Sequence, residues 1–335
     1  GSEMCIRDSA YPGYGSPFSL CSNIFHIHGE SDIPGVSRVR TEQRHVSDLT
    51  YPQAVVMGLL QGVTELFPVS SLGHSVLVPA WIGGSWQTLV TQSASAGHTP
   101  FLAFVVALHV ATAVALIIFY RRDWVRIVSG FVYSIRARRI DTADSRLAWL
   151  IIIGTIPVGI VGLVAEKSLR TLFATPLAAA IFLCINALVL LAAERLRRAQ
   201  TASSGRHARS GTHADLKQLP LRDGAIIGAC QIFALLPGIS RSGVTISGGI
   251  LRHLDHEDAA RFAFLLATPV ILAAGVLKIP ELFGPDGAGI GGQVVVGSIC
   301  AFLAALASVA FLARWFHTRT LYPFAAYCLV AGIVS

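Results

Sequence analysis

Apolar residues come in runs long enough to cross about 30 Å of hydrocarbon, at about 101–120, 147–165, 175–193, 262–279 and 294–313. A sixth run starts near Leu321 and reaches Ser335. Its length falls short of the ~20 residues a spanning helix needs, so a tilted, partner-packed helix is expected there, or one whose last residues are missing. Two more apolar runs, about 51–82 and 222–250, are interrupted by Pro, Gly and Ser and carry polar residues at mid-membrane depth. Lipid tolerates irregular backbone only where it is buried in protein or lines a cavity, so these two read as broken, re-entrant helix pairs.

The two broken segments match each other at a shift of 170 residues, which pairs Gly58 with Gly228, Gln61 with Gln231, Leu66 with Leu236, Ser70 with Ser240 and Gly73 with Gly243. Each is followed by three apolar runs, so the identities have architectural support as an internal repeat. The expected fold is an all-α polytopic membrane protein with an inverted-topology repeat, about six transmembrane helices and two broken re-entrant pairs. Residues 49–335 would form one membrane domain: a first repeat over about 50–193, a basic linker over about 194–221 and a second repeat over about 222–335. Residues 1–48 are polar, lack the apolar core of a secretory signal and read as a disordered extension or a tag and gene-start artefact.

Composition agrees: 53% of the 335 residues are hydrophobic and 13% charged, with a mean hydropathy of +0.62, too apolar for a soluble chain of this length. The net charge of +7 does not point to nucleic acid, because the basic residues lie in loops between apolar runs without interleaved aromatics. They report topology instead. The connection 121–146 carries seven Arg (Arg121, Arg122, Arg126, Arg136, Arg138, Arg139, Arg146) and 194–223 carries seven Lys or Arg, whereas 83–100 and 280–293 carry none. Placing the basic connections in the cytoplasm makes the halves inverted, so the two re-entrant tips meet near the midplane from opposite sides. The run Arg195–Arg198 is expected at lipid headgroups, and the histidines His207, His213, His253, His256 and His317 in solvent. Of the six cysteines, Cys184, Cys230, Cys300 and Cys328 lie in apolar stretches as small packed thiols, and Cys21, His26 and His28 lack the second ligand pair a metal site needs.

Ionisable residues concentrate at the tips, which read Gln61-Gly-Val-Thr-Glu65-Leu-Phe-Pro68-Val-Ser70-Ser71-Leu-Gly73-His74 and Leu236-Pro-Gly238-Ile-Ser240-Arg241-Ser242-Gly243-Val-Thr245. Glu65, His74 and Arg241 at membrane depth form a functional-site hypothesis by default, because each costs several kcal/mol there unless paired or hydrated. Arg241 offers a fork of donors suited to phosphate oxygens, and Ser240, Ser242, Gly243 and Thr245, with Ser70 from the first tip, add hydroxyl and backbone donors. Were the chain helical from Val244 onward, its N-terminus would add a positive dipole end. Gln61 and Glu65, four apart, share a helix face and suit a divalent cation, Mg²⁺ or Ca²⁺. Ser71 and His74, three apart, suit a nucleophile with its base, or His74 as the nucleophile. Plainer readings stand beside these: Glu65 and Arg241 as a structural ion pair, His74 on a freed backbone carbonyl, and His109 as a buried structural histidine outside the catalytic set.

The first tip fits (E/Q)xxxE leading into PxSSxGH and the second fits PGxSRSGxT. In these motifs, and in Phe262–Pro269 and Pro323–Tyr327, the chain resembles the undecaprenyl-diphosphate phosphatase family, also called the bacitracin-resistance family, over about residues 50–335. The resemblance implies removal of the terminal phosphate of a polyprenyl diphosphate lipid at the outer face of the bacterial inner membrane. Glu65 and Gln61 would hold the cation, Arg241 with Ser240 and Thr245 the diphosphate, and Ser71 with His74 would perform the transfer. Many members have glutamate where Gln61 stands. Partners would be the lipid substrate and the bilayer, with a homodimer left open. The strongest rival is a secondary carrier, which uses the same inverted-repeat architecture, but a carrier has no need of a hydroxyl and an imidazole beside a carboxylate. A structural scaffold leaves the intramembrane Arg and Glu unexplained.

Overall fold

A computed structural model of the chain describes residues 49–87, 100–173, 175–204, 216–283 and 289–335. The N-terminal extension and residues 205–215 of the basic linker therefore lie outside the described residues. Everything described after residue 48 is helix or short connection. Helix α1 (Tyr51–Thr64) starts in a capping box in which Thr50 and Gln53 satisfy each other's backbone N–H, with a proline in its first turn. Next come α2 (Ser71–Ile82), α3 (Pro100–Phe119), α4 (Arg121–Ala137), α5 (Ala143–Phe173) and α6 (Pro176–Ser204). The second half holds α7 (Leu221–Cys230), a 3₁₀ turn (Gln231–Leu235), α8 (Arg241–Leu251), α9 (His256–Leu282), α10 (Gly291–Trp315) and α11 (Tyr322–Val334).

Among the described residues, five helices are long and apolar enough to span a bilayer: Phe101–Phe119, Ala143–Ala165, Pro176–Gln200, His256–Lys278 and Gly291–Trp315. They correspond to the five long runs of the sequence. The sixth run forms a helix of 13 residues, which packs along α6: Gly332 meets Ala180 and Cys184, and Arg198 lies over the Tyr322 ring at 4.6 Å. The first half thus contains three spanning helices. An odd number of crossings brings the second half into the membrane from the other side.

Pairing between the halves repeats one scheme, with α1 lying along α10 and α7 lying along α5. Both contacts depend on glycine. A Cβ at Gly58 would run into the Gly297 backbone of α10, and one at Gly228 into the Gly154 backbone of α5, so each re-entrant helix approaches a spanning helix backbone to backbone, as small residues allow in membranes. At the centre α3 packs against both α9 and α10. In α3 and α9 56% of the span is buried, against 33%, 39% and 28% in α5, α6 and α10, so the first two are the core pair and the others carry the lipid-facing surface.

Several features depart from the sequence reading. The connection 121–146, expected as a basic loop, contains helix α4, which exposes Val125, Val128, Val132 and Ile135 at one-face spacing beside its arginines and so has the pattern of an interfacial helix. Asp123 ties it to α9 through Arg261 and accepts from Arg126 at 2.6 Å. Helix α6 continues to Ser204, so the linker begins as helix. His256, expected in solvent, is 6% exposed and sits 2.8 Å from Glu194 Oε2, whereas His317 is exposed as expected, its Nδ1 2.6 Å from the exposed Glu257. A carboxylate buried in α6 needs a partner, and the first turn of α9 supplies it. The run Arg195–Arg198 is partly drawn onto this carboxylate: Arg197 and Arg198 approach Glu194 at 3.6 and 3.7 Å.

Candidate functional site

Two helix starts meet in the middle of the molecule. After Thr64 the chain turns through Glu65–Val69, with Pro68 in the turn, and re-enters helix at Ser71. Ser70 is the N-cap: its Oγ accepts from Gly73 N at 3.2 Å and from Gly238 N of the other tip at 3.2 Å. Its φ of +71° is a conformation L-residues seldom adopt, and here the bonds to both tips hold it. In the second half Pro237–Gly238 turns the chain and Ser240 caps α8, accepting from Gly243 N at 3.1 Å. Gly238 has φ +106°, and a Cβ there would strike the backbone of α6 at Ala179 and Leu183, so only glycine serves.

Asn186 of α6 fastens both tips. Its Nδ2 donates to Pro68 O at 3.0 Å, and its Oδ1 accepts from Ser240 N at 3.0 Å. The backbone donors that begin α2 and α8 are therefore held side by side. Two helix N-termini directed at one place form a ready anion site.

Glu65, the last residue of the first arm, collects the polar side chains of the region. Arg241 pairs with its Oε1. Its Oε2 accepts from Ser71 Oγ at 2.5 Å and from Gln61 Nε2 at 2.9 Å, and His109 Nε2 lies 3.3 Å away. Arg241 also donates from Nη1 to Ala267 O at 3.1 Å, which fixes the guanidinium against α9. Glu65 is 4% exposed in its side chain, Arg241 15% and His109 20%, so the carboxylate is the most enclosed of the three.

The residues singled out from the sequence fall into two groups. Gln61, Glu65, Ser71 and Arg241 converge. His74 is buried nearby but is not paired with Ser71: its Nδ1 lies 2.7 Å from Ser70 O and its Nε2 2.7 Å from Tyr327 Oη. The plainer reading of His74 on a backbone carbonyl thus holds for one ring nitrogen. Helix α8 starts at Arg241 rather than Val244, so Ser242, Gly243 and Thr245 lie inside its first turns. Their polar groups are occupied there, Ser242 Oγ on Phe67 O at 3.1 Å, Gly243 N on Ser240 and Thr245 Oγ1 on Arg241 O at 2.7 Å. Sequence reasoning set His109 aside, did not mark Asn186, and met Tyr327 only as the end of the Pro323–Tyr327 stretch, with no role assigned. The available signal was the same for the first two, a lone polar residue inside an apolar span.

Fold and site together define an integral membrane protein whose ionisable and hydroxyl groups gather where two re-entrant segments meet. The family described as bacitracin resistance protein BacA matches residues 54–334, and the chain belongs to that family. It is 59% identical over 298 residues to an undecaprenyl-diphosphatase of Mycobacterium avium (strain 104), covering 86% of this chain and 97% of the relative. It is 53% identical over 331 residues to undecaprenyl-diphosphatase 2 of Frankia alni, covering 85% and 96%. To an undecaprenyl-diphosphatase of Gluconacetobacter diazotrophicus it is 45% identical over 295 residues, covering 86% and 96%.

Proposed function

We propose that this protein hydrolyses undecaprenyl diphosphate to undecaprenyl phosphate and inorganic phosphate, recycling the lipid carrier of the cell wall and giving resistance to bacitracin. The observation that carries the reading is the Ser71–Glu65–Arg241 constellation at two helix N-termini, in a chain that matches undecaprenyl-diphosphatases along nearly their whole length. A carrier of lipid phosphates would need the arginine and the helix ends but not a hydroxyl bonded to a carboxylate.

Ser71 is the nucleophile in this reading and Glu65 its base, supported by the 2.5 Å bond between them. Ser71 Oγ forms a bond to the terminal phosphorus and its proton passes to Glu65 Oε2. The anhydride P–O bond breaks, and undecaprenyl phosphate leaves with the electron pair and takes the proton from Glu65. Glu65 then takes a proton from water as the water oxygen bonds to phosphorus, and returns it to Ser71 Oγ as the serine–phosphate bond breaks. Arg241 has five N–H donors, of which two are engaged with Glu65 and Ala267, leaving donors for phosphate oxygens, and the backbone N–H groups at the starts of α2 and α8 supplement them. His74, held between Ser70 O at Nδ1 and Tyr327 Oη at Nε2, keeps its ring in place three residues beyond the nucleophile.

Glu65 and Gln61, one helical turn apart, are the residues that would hold a divalent cation, Mg²⁺ or Ca²⁺, with Gln61 presenting its carbonyl oxygen in place of the Nε2 that here donates to Glu65. Such an ion supplies charge neutralisation for phosphoryl transfer. The excess of Lys and Arg in the connections 121–146 and 194–223 supports a site open to the periplasmic side of the bacterial inner membrane.

Phosphate release from undecaprenyl and farnesyl diphosphate by detergent-purified protein, with and without each divalent ion, tests the reading. Release that vanishes in Ser71→Ala and Arg241→Ala proteins with wild-type elution profiles is expected. Folded wild type that releases no phosphate with any ion transfers the site to the carrier class.

A further inference from the structure

We infer that helix α4 lies in the plane of one membrane leaflet and that its arginine edge binds the phosphate groups of anionic phospholipid there. No residue of α4 is among the groups gathered at Glu65, so this lipid contact stands whichever reaction that site performs.

Projected at about 100° per residue, α4 carries three faces. Ile127, Gly130 and Ser134 are buried and form the face toward the protein. A Cβ at Gly130 would meet the backbone of Asp144 and Ser145, and Ser134 Oγ accepts from Trp149 Nε1 at 3.0 Å. Val125, Val128, Val132 and Ile135 are exposed and fall together on a second face. Arg122, Arg126, Ser129, Tyr133 and Arg136, exposed as well, make the third. A helix between protein and water needs one apolar face, and α4 has an outer apolar face besides its packed one. Protein, hydrocarbon and headgroups on three sides account for all three.

The contacts that hold α4 set its direction. Asp123 in its first turn pairs with Arg261 in the second turn of α9, and Gly130 and Ser134 rest on the first two turns of α5. Both α5 and α9 are spanning helices, so α4 crosses the starts of two spans, which lays its axis along the membrane surface where their hydrocarbon begins. Arg126 is held by Asp123 at 2.6 Å and Arg139 by Asp141 at 3.1 Å. Arg122 and Arg136 make no ion pair among the described residues, and both stand beside Val125 on the border of the apolar and polar faces. A side chain rooted there lays its stem along acyl chains and lifts its guanidinium to the headgroups, where its paired donors fit a phosphate. A phosphate whose charge no ammonium group cancels is favoured. A second copy of the chain seated on this face would bring the same arginines together, so lipid is the occupant that the charges fit.

The test is photocrosslinking of the full-length protein in phosphatidylcholine vesicles that carry a trace of phosphatidylglycerol or phosphatidylcholine with a photoreactive group near the headgroup. Adducts are mapped by peptide mass spectrometry. Labelling of residues 121–137 is expected to be ~5-fold or more higher from the phosphatidylglycerol probe, about what one arginine near an anionic surface contributes, and the ratio should fall toward one in high salt. Arg122→Gln combined with Arg136→Gln should bring the two probes level while labelling of the apolar face persists, and Arg122→Lys with Arg136→Lys should keep most of the preference. Where the glutamine variant does not fold, the salt series on the wild type reads the same contact. Equal labelling of 121–137 by both probes, or a preference that survives high salt or the glutamine variant, overturns the inference. So does an unlabelled 121–137 in protein whose lipid-facing α10 is labelled, the result that a covering second copy or a soluble partner would give.

Discussion

The two re-entrant segments share a backbone and divide the chemistry. Both begin with a short helix whose glycine, Gly58 or Gly228, lies against a spanning helix, and both resume helix after a serine N-cap with glycine three residues on, Ser70 with Gly73 and Ser240 with Gly243. The positions that bear charge differ. Glu65 corresponds to Leu235, Ser71 to Arg241 and His74 to Val244. The repeat thus supplies two equivalent helix ends facing one another, and divergence puts the carboxylate, hydroxyl and imidazole on one and the guanidinium on the other. Neither half holds a complete site, and the Glu65–Arg241 pair is both the seam between repeats and the centre of the proposed chemistry.

The sharpest way to break this comparison is to separate the two jobs of that pair. Arg241→Ala should abolish phosphate release, by ~10³-fold or more, and cost about 3–5 kcal/mol of stability, because Glu65 is left charged and buried. The double variant Glu65→Gln with Arg241→Met removes both charges; thermal unfolding in detergent should recover most of the loss while activity stays absent. A double variant that regains activity would mean the pair is only a structural tie.

Within the first tip, Ser71 and His74 are distinguishable. Ser71→Ala should lower kcat by ~10⁴-fold with little change in KM. Tyr327→Phe frees His74 Nε2 while keeping the ring and should cost ~10-fold or less, the loss of one hydrogen bond. A Tyr327→Phe loss as deep as that of Ser71→Ala would make His74 the reacting group.

The shared scaffold predicts equal damage on the two sides. Gly58→Ala and Gly228→Ala each drive a methyl into the backbone of a spanning helix, so each should destabilise by ~1–3 kcal/mol, read as similar falls in thermal midpoint. Unequal falls would show that one arm is held more loosely than the repeat implies.

Much of this was legible in the sequence for physical reasons. Spanning runs announce themselves by length, and Pro, Gly, Ser and charge inside an apolar run announce a break, so the five spans, both tips and the Glu65–Arg241 neighbourhood could be read directly. Helix α4 was hidden because its arginines look like a loop to a hydropathy count, although Val125, Val128, Val132 and Ile135 carry a helical period. The partner of His256 is 62 residues away in α6, and that of His109 is 44 residues back, on an earlier helix; no local pattern reports such pairs. The motif names Ser242 and Thr245 as hydroxyl donors, and only the structure shows that these hydroxyls rest on Phe67 O and Arg241 O, because a motif position says nothing about which backbone carbonyl lies within reach.

The smallest expected effect gives the finest comparison, since Gln61 and Gln231 are the same residue at the same place in the repeat. Gln61 Nε2 donates to Glu65, so Gln61→Ala loosens the carboxylate and should lower phosphate release ~10-fold, about the worth of one charge-assisted hydrogen bond. Gln231 has no carboxylate to hold, because Leu235 stands where Glu65 would. Its Nε2 reaches Gly154 O at 3.3 Å, and its buried Oε1 finds no hydrogen-bond partner. An unsatisfied buried acceptor costs stability, so Gln231→Met, similar in size and without that acceptor, should leave activity within about twofold and the thermal midpoint unchanged or raised. If Gln231→Met instead lowers activity as far as Gln61→Ala does, the second arm contributes more than Arg241 and its helix end, and the division of labour between the repeats is less complete than the contacts around Glu65 indicate.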